Sequence, residues 1–242
     1  MKASVIALHR VTITLGARHI FEDLSVELPL TGTTFIIGPS GSGKSTLCRA
    51  AVGLLRPSAG SIMCTEASGP PLRVDLASES SLTQLRRKVP FVVQEPALLD
   101  WLSLEQNVAL AARAIHTPSG RLAEVVIQAL ESVGLGSWAD RLPTQVGPGI
   151  RKRAAIARAL VLSPSALMLD EPTTGLDPMA SAQIVETLER LKARAIGVIA
   201  ISHDHRSLAA LADHVIEVRD GRIASVGEPG GSLASFEEPP HE

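Results

Sequence analysis

Tyrosine is absent from this chain of 242 residues, and aromatic side chains make up only 2% of it. The flat platforms on which bases or sugars usually stack are therefore scarce. An excess of positive charge is lacking too: 23 basic residues against 25 acidic ones leave a net charge of -2. No broad basic face is available to neutralise a phosphodiester backbone, so DNA and RNA are not expected partners. Two cysteines, Cys48 and Cys64, are too few for a disulfide framework or a zinc site and read as reduced thiols. Apolar runs of the roughly 18 residues that a membrane helix requires are missing, and polar residues interrupt "MKASVIALHRVTI" before it forms a signal core. A cytoplasmic chain without internal repeats is the expectation.

What is present is apolar material for a sizeable core, 45% of the residues. The N-terminal part alternates as strands do, in "VTITL", "LSVELPL" and "TTFIIG", with a turn at Gly16. An apolar helix, "STLCRAAVGLL", follows a glycine-rich turn and stops at Arg56 and Pro57. Residues 64 to 84 are rich in Ser, Pro, Gly and Glu and read as a loop with a short polar turn of helix, and "VPFVVQ" reads as a buried strand. Helical spacing then dominates from about Glu95 to Ala155. Strand and helix alternate again through "ALMLDE", "ASAQIVETLERLKA", "GVIAISH" and "SLAALAD", which implies a mostly parallel sheet. The Asp220-Gly221 pair in "HVIEVRDGRIASVG" is a hairpin signal, and the last dozen residues look frayed.

Two patterns carry chemistry. "GPSGSGKST", spanning Gly38, Pro39, Ser40, Gly41, Ser42, Gly43, Lys44, Ser45 and Thr46, fits the phosphate-loop pattern between a strand and a helix. Its backbone N–H groups and helix dipole suit phosphate, Lys44 can reach β and γ oxygens, and the Ser45 hydroxyl can ligate Mg²⁺. "ALMLDEPTTGLDP" puts Asp170 and Glu171 just beyond an apolar strand, at the carboxyl edge where open α/β sheets bind ligands. Asp170 would stand behind Mg²⁺, and Glu171 would polarise the attacking water. Gln94 and His203 also end strands; the first could reach both Mg²⁺ and water, the second the γ-phosphate. A capping amide or a structural histidine would read the same way.

Taken in order, "GPSGSGKST", "VVQEP", "VGPGIRKRAAIARAL", "LMLDEP", "GLDP" and "ISHD" resemble the Walker A, Q-loop, signature, Walker B, D-loop and H-loop of ATP-binding cassette (ABC) transporter ATPases over nearly the whole chain. The resemblance implies an α/β fold, a P-loop NTPase (RecA-like) core with an antiparallel β-subdomain and a helical subdomain. It implies one cassette: core and β-subdomain over 1–94 and 156–242, helical subdomain over 95–155. ATP and Mg²⁺ are the implied cofactors, and two such chains would close head to tail around two ATPs. Membrane-spanning permease subunits are the implied partners, gripped near "ALLDWLSLEQNV", with the chain held on the inner face of the membrane. There Leu98, Leu99, Trp101 and Leu102 could equally be core anchors. Several stretches, among them "GARHIFEDLSVELP" and the "RKRAAIARAL" helix, are most similar to the ATPases of Mla/Mce-type lipid transporters. A sulfonate or nitrate importer is the alternative, disfavoured by Lys152 where those families commonly carry Gln, and a soluble ABC regulator is a further one.

Two departures stand out. Leu15 occupies the place where most of the family stacks an aromatic ring on adenine, leaving Arg18 near the base or ribose. In the signature, where the family reads L-S-G-G-Q/M, this chain has Val146, Gly147, Pro148, Gly149 and Ile150. Gly147 and Gly149 would still face a nucleotide, but the serine hydroxyl that donates to the opposite γ-phosphate is missing. A homodimer would carry that defect twice; a heterodimer with an intact partner would carry it once, and both are kept open.

Overall fold

The computed structural model describes residues 4–67, 69–202 and 209–228. Strands β1 (Val5–Leu15) and β2 (Arg18–Pro29) form an antiparallel hairpin, and β3 (Thr33–Ile37) then enters a second sheet with all five residues buried. Burial on both faces is the mark of a central parallel strand. Helix α1 (Lys44–Ala51) follows, then β4 (Ala59–Thr65), β5 (Leu72–Arg73), α2 (Glu79–Lys88) and β6 (Phe91–Val92). Three longer helices come next, α3 (Leu104–Ala114), α4 (Ser119–Ser132) and α5 (Pro148–Leu160). The chain continues through β7 (Ala166–Asp170), α6 (Pro178–Ala193), β8 (Gly197–Ile201), β9 (His214–Arg219) and β10 (Arg222–Gly227).

One sheet is antiparallel, ordered β2-β1-β4-β5; the other is ordered β10-β9-β3-β8-β7-β6, with all of its strands parallel except β10. Side-chain alternation decides what covers each face of the parallel sheet. Ile36, Met168, Ile199 and Ile216 point into a core shared with the antiparallel sheet and α1. Their neighbours Phe35, Leu167, Val198 and Val215 point into a second core built with α3 to α6. Three layers result, with the carboxyl ends of β3, β7 and β8 at one edge.

The hairpin at Asp220-Gly221 is present, both residues having positive φ (48° and 70°), as the primed two-residue turns require. Other expectations change. The stretch read as loop with a short polar turn of helix holds the start of α2, which Ser78 caps by accepting from the Ser81 N–H, and also the end of β4 and all of β5. "VPFVVQ" contributes only Phe91–Val92, because β6 is an edge strand paired on one side and half-exposed. Helix α1 stops at Ala51 rather than running through Leu55. Helix α5 runs without a break from Pro148 to Leu160. His203 and the Pro- and Glu-rich C-terminal residues lie outside the described residues. Among the described residues, no helix is long and apolar enough to cross a membrane.

Between β6 and α3 the chain is organised by Asn107, a fully buried side chain. Its Oδ1 accepts from Leu99 N–H at 2.8 Å, and its Nδ2 lies 3.1, 3.0 and 3.0 Å from the carbonyls of Leu99, Leu102 and Ser103. Asn107→Ala should destabilise the fold by about 3 kcal/mol, because several buried backbone groups lose their partner together. Urea unfolding measures this; a loss under ~1 kcal/mol would mean that the loop does not depend on Asn107.

Candidate functional site

Glycine is required where the loop after β3 turns into α1. Gly43 has φ 103°, and a Cβ there would lie 2.5 Å from the Phe21 ring. Helix α1 has no side-chain cap and no acidic residue in its first turn, so its N-terminal N–H groups remain directed at the loop. The Lys44 ammonium lies inside that loop, 2.8 Å from the carbonyl oxygens of Gly38 and of Pro39, with the residue only 5% exposed. Burial pushes the Lys44 pKa down, and Glu171 and Asp170 oppose that shift. The Ser42 hydroxyl is buried without a hydrogen-bond partner, which suits a loop that receives acceptor oxygens from a ligand.

Strand β7 delivers the two carboxylates. Ser45 Oγ donates to Asp170 Oδ1 at 2.9 Å, tying the first turn of α1 to the end of β7. Asp170 and Glu171 are 4% and 6% exposed. Burial raises the Asp170 pKa against the lowering effect of the Ser45 hydrogen bond. Glu171 has φ 50°, and its Oε2 accepts from Thr174 Oγ1 at 2.7 Å. Ser45 and Asp170 offer hard oxygens side by side, and Gln94 lines one crevice with Asp170, Lys152 and Pro172. Mg²⁺ takes few protein oxygens and completes its shell with water and phosphate, so this donor set fits it. When bound there, the ion would neutralise charge on the phosphate oxygens.

The phosphate loop, Ser45, Asp170 and Glu171 are thus brought to one edge, with exposed Gln94 beside them. Arg18 is exposed at the start of β2, opposite Leu15; further along that strand Ile20 and Phe21 back Gly43. Gly147 caps α5 with nothing within 4 Å of where a Cβ would stand. Gly149 is buried instead, and a Cβ there would come 2.8 Å from Ala180 Cβ on α6. Its smallness therefore permits the approach of α5 to α6. Both cysteines are free and buried, and burial raises their thiol pKa values, that of Cys64 to about 11. Sequence reasoning missed two site residues, Thr174 and Lys152. The Lys152 ammonium donates to the carbonyls of Glu171 and Thr174 at 2.8 and 2.7 Å. The sequence marked Lys152 only as a lysine where importer families commonly carry Gln, which points to no partner.

Residues 21–174 match the ABC transporter family. This chain belongs to that family. The cassette is 39% identical over 216 residues to the nickel import ATP-binding protein NikO of Rhodobacter capsulatus, covering 87% of this chain and 84% of that one. It is 34% identical to MlaF, the intermembrane phospholipid transport ATP-binding protein of Escherichia coli K12, covering 93% and 82%. Identity is 32% to PhnT of Salmonella choleraesuis, a candidate 2-aminoethylphosphonate import ATP-binding protein; 98% of the cassette matches but only 62% of that longer chain. Among solved structures, the dimeric cassette MJ0796 in a post-hydrolysis state with ADP and Pi superimposes with a TM-score of 0.81 at 25% identity, over 93% of this chain and 98% of that one.

Because burial makes Asp170 hold its proton more tightly than an exposed aspartate, protons should compete with Mg²⁺ at this site. The Mg²⁺-dependent gain in ATP affinity should fade on acidification before the ordinary aspartate range is reached, and Asp170→Asn should remove that gain at every pH. Calorimetric titration of ATP with and without Mg²⁺ from about pH 8 to about pH 5 checks this.

Proposed function

We propose that this cassette is the ATP-hydrolysing subunit of an ABC transporter. The observation that carries the reading is the Ser45–Asp170 hydrogen bond beside the buried Glu171, which sets a phosphate loop, a cation site and a candidate base at one sheet edge. In this reading the backbone from Gly38 to Gly43 and Lys44 hold the β and γ phosphates. Ser45, Asp170 and Gln94 would hold Mg²⁺ and Glu171 would orient the attacking water, while His203, outside the described residues, is assigned to the γ-phosphate from the H-loop resemblance alone. Arg18, exposed at the start of β2, would lie near the base or ribose. The relatives named for import or phospholipid transport support coupling to a permease. Trp101, 74% exposed beside half-buried Leu98, Leu99 and Leu102, is the surface we assign to that contact, on the inner face of the membrane.

Lipid is the cargo we favour, supported by the identity to MlaF and by the stretches shared with Mla/Mce-type ATPases. The higher identity to a nickel importer favours a second reading, uptake of a small solute. Stimulation of ATPase activity in the permease complex by phospholipid vesicles or by a solute separates the two.

In the closed dimer the Gly147–Gly149 turn would face the γ-phosphate held by the partner chain. We favour a homodimer, in which both sites lack the serine hydroxyl and turnover is slow. Glu171→Gln should retain ATP binding and abolish hydrolysis; parental turnover in that variant would refute the assignment. The double variant Gly147→Ser, Pro148→Gly should raise the rate at least several-fold, up to roughly 100-fold, since a hydrogen bond to a charged oxygen contributes about 1.5–3 kcal/mol. Open space around Gly147 admits the hydroxyl. An unchanged rate with ATP binding and dimer closure intact would show that the turn does not limit turnover.

A further inference from the structure

We propose that Lys152 is a positioning residue for Glu171: its ammonium, bonded at once to the carbonyl oxygens of Glu171 and Thr174, holds the turn that aims the carboxylate at water. This rests on the ATPase reading above and adds to it a residue on another element. The turn needs a clamp. Glu171 is a long-side-chain residue in the left-handed region, φ 50°, a conformation that persists only where the surroundings impose it. Within the turn, Thr174 Oγ1 holds Oε2 of the same glutamate. Lys152 fixes the backbone at the two ends of that side-chain bond, so one cation restrains both the donor and the acceptor of the contact that orients the carboxylate.

Lys152 is itself well placed to act as a fixed point. It projects from α5 three residues after Gly149, whose missing side chain lets the helix lie against Ala180 of α6. The next residue, Arg153, is buried and anchors α5 to the end of α4 through the Val133 carbonyl at 3.1 Å. Glu95, after β6, and Glu171 itself are the carboxylates whose charge acts on the Lys152 ammonium. Yet the ammonium is directed at carbonyl oxygens, which fix the path of the chain. A neutral side chain of equal length would fill the same space and lose both bonds.

The experiment uses the full chain, with ATP affinity, single-turnover hydrolysis and thermal unfolding measured for Lys152→Met, Lys152→Arg and Lys152→Gln. Lys152→Met should lower the hydrolysis rate by about tenfold or more while ATP affinity stays within about twofold. Arginine, whose fork can reach two carbonyls, should restore most of the rate, and glutamine, with one short amide, only part of it. A parental rate in folded Lys152→Met, or a loss of ATP affinity as large as the loss of rate, would overturn the proposal and leave Lys152 as a brace. If the methionine variant does not fold, the order of rates Lys, Arg, Gln decides: a graded fall supports the assignment and equal rates refute it. Glu171→Gln at parental turnover would instead sink the ATPase reading itself, so the two failures are distinguishable.

Discussion

The hydrogen bond from Ser45 to Asp170 joins residues 125 positions apart, and the arrangement of the parallel sheet follows from what that bond requires. β3 and β7 are not neighbours; β8 lies between them. For the helix after β3 to meet the end of β7, all three strands must run the same way and finish at the same level. Register supplies this, with Ile36 opposite Ile201 and Ile201 opposite Asp170. The ends are tied as well: Ser202 N–H donates to the Ile36 carbonyl, and Glu171 N–H to that of Ile201. Parallel strands need covered crossovers, so both faces must be buried. The two cores above and below the sheet are therefore a condition for the site.

Sequence patterns revealed the elements whose chemistry is local. The phosphate loop is one continuous segment whose glycines and lysine are adjacent, and Asp170 and Glu171 follow directly on an apolar run. Elements whose stability comes from elsewhere were harder to read. Helix α2 buries only Leu82 and Leu85 among polar residues, so its helical period carries little apolar weight. β4 is covered by its pairing with β1, a long-range relation that periodicity does not display. The same holds for Lys152, whose partners are backbone carbonyls 19 and 22 residues away. A carbonyl acceptor has no residue signature. A lysine in a basic helix thus reads as a solvated charge until the turn it meets is in place.

Helix α5 gathers several such hidden relations. Lys152 reaches the turn after β7 and Arg153 the end of α4. Farther along, Arg158 donates to the carbonyls of Pro96 and Ala97 at 3.0 and 2.7 Å, in the segment that follows Gln94. Ala97 has φ 47°, so Arg158, like Lys152, meets a turn containing a left-handed residue. Through these contacts one rigid helix touches the candidate catalytic glutamate, the helical layer and the loop leading to the exposed Trp101. A rotation of α5 would be felt at all three, which gives a proposed permease contact a physical route to the carboxylate edge that does not depend on Gln94 alone.

The altered turn at the start of α5 changes less than its sequence suggests. Proline at the first helical position removes an N–H that has no intrahelical partner anyway, and its fixed φ suits the helix. Gly149 keeps the α5–α6 approach, so the helix axis need not move. No side chain caps α5 and no acid occupies its first turn, which leaves the later N–H groups and the positive end of the dipole intact. What is lost is one hydroxyl, at a position with room for it, and one free N–H donor, that of residue 148. The proposed defect is then one of chemistry at an otherwise preserved surface: attraction for an anion held by a partner chain would remain, while the directional bond that strengthens as charge develops in the transition state would not. On the proposed reading such a turn would favour holding a nucleotide over turning it over, and slow hydrolysis would follow from that difference between binding and catalysis.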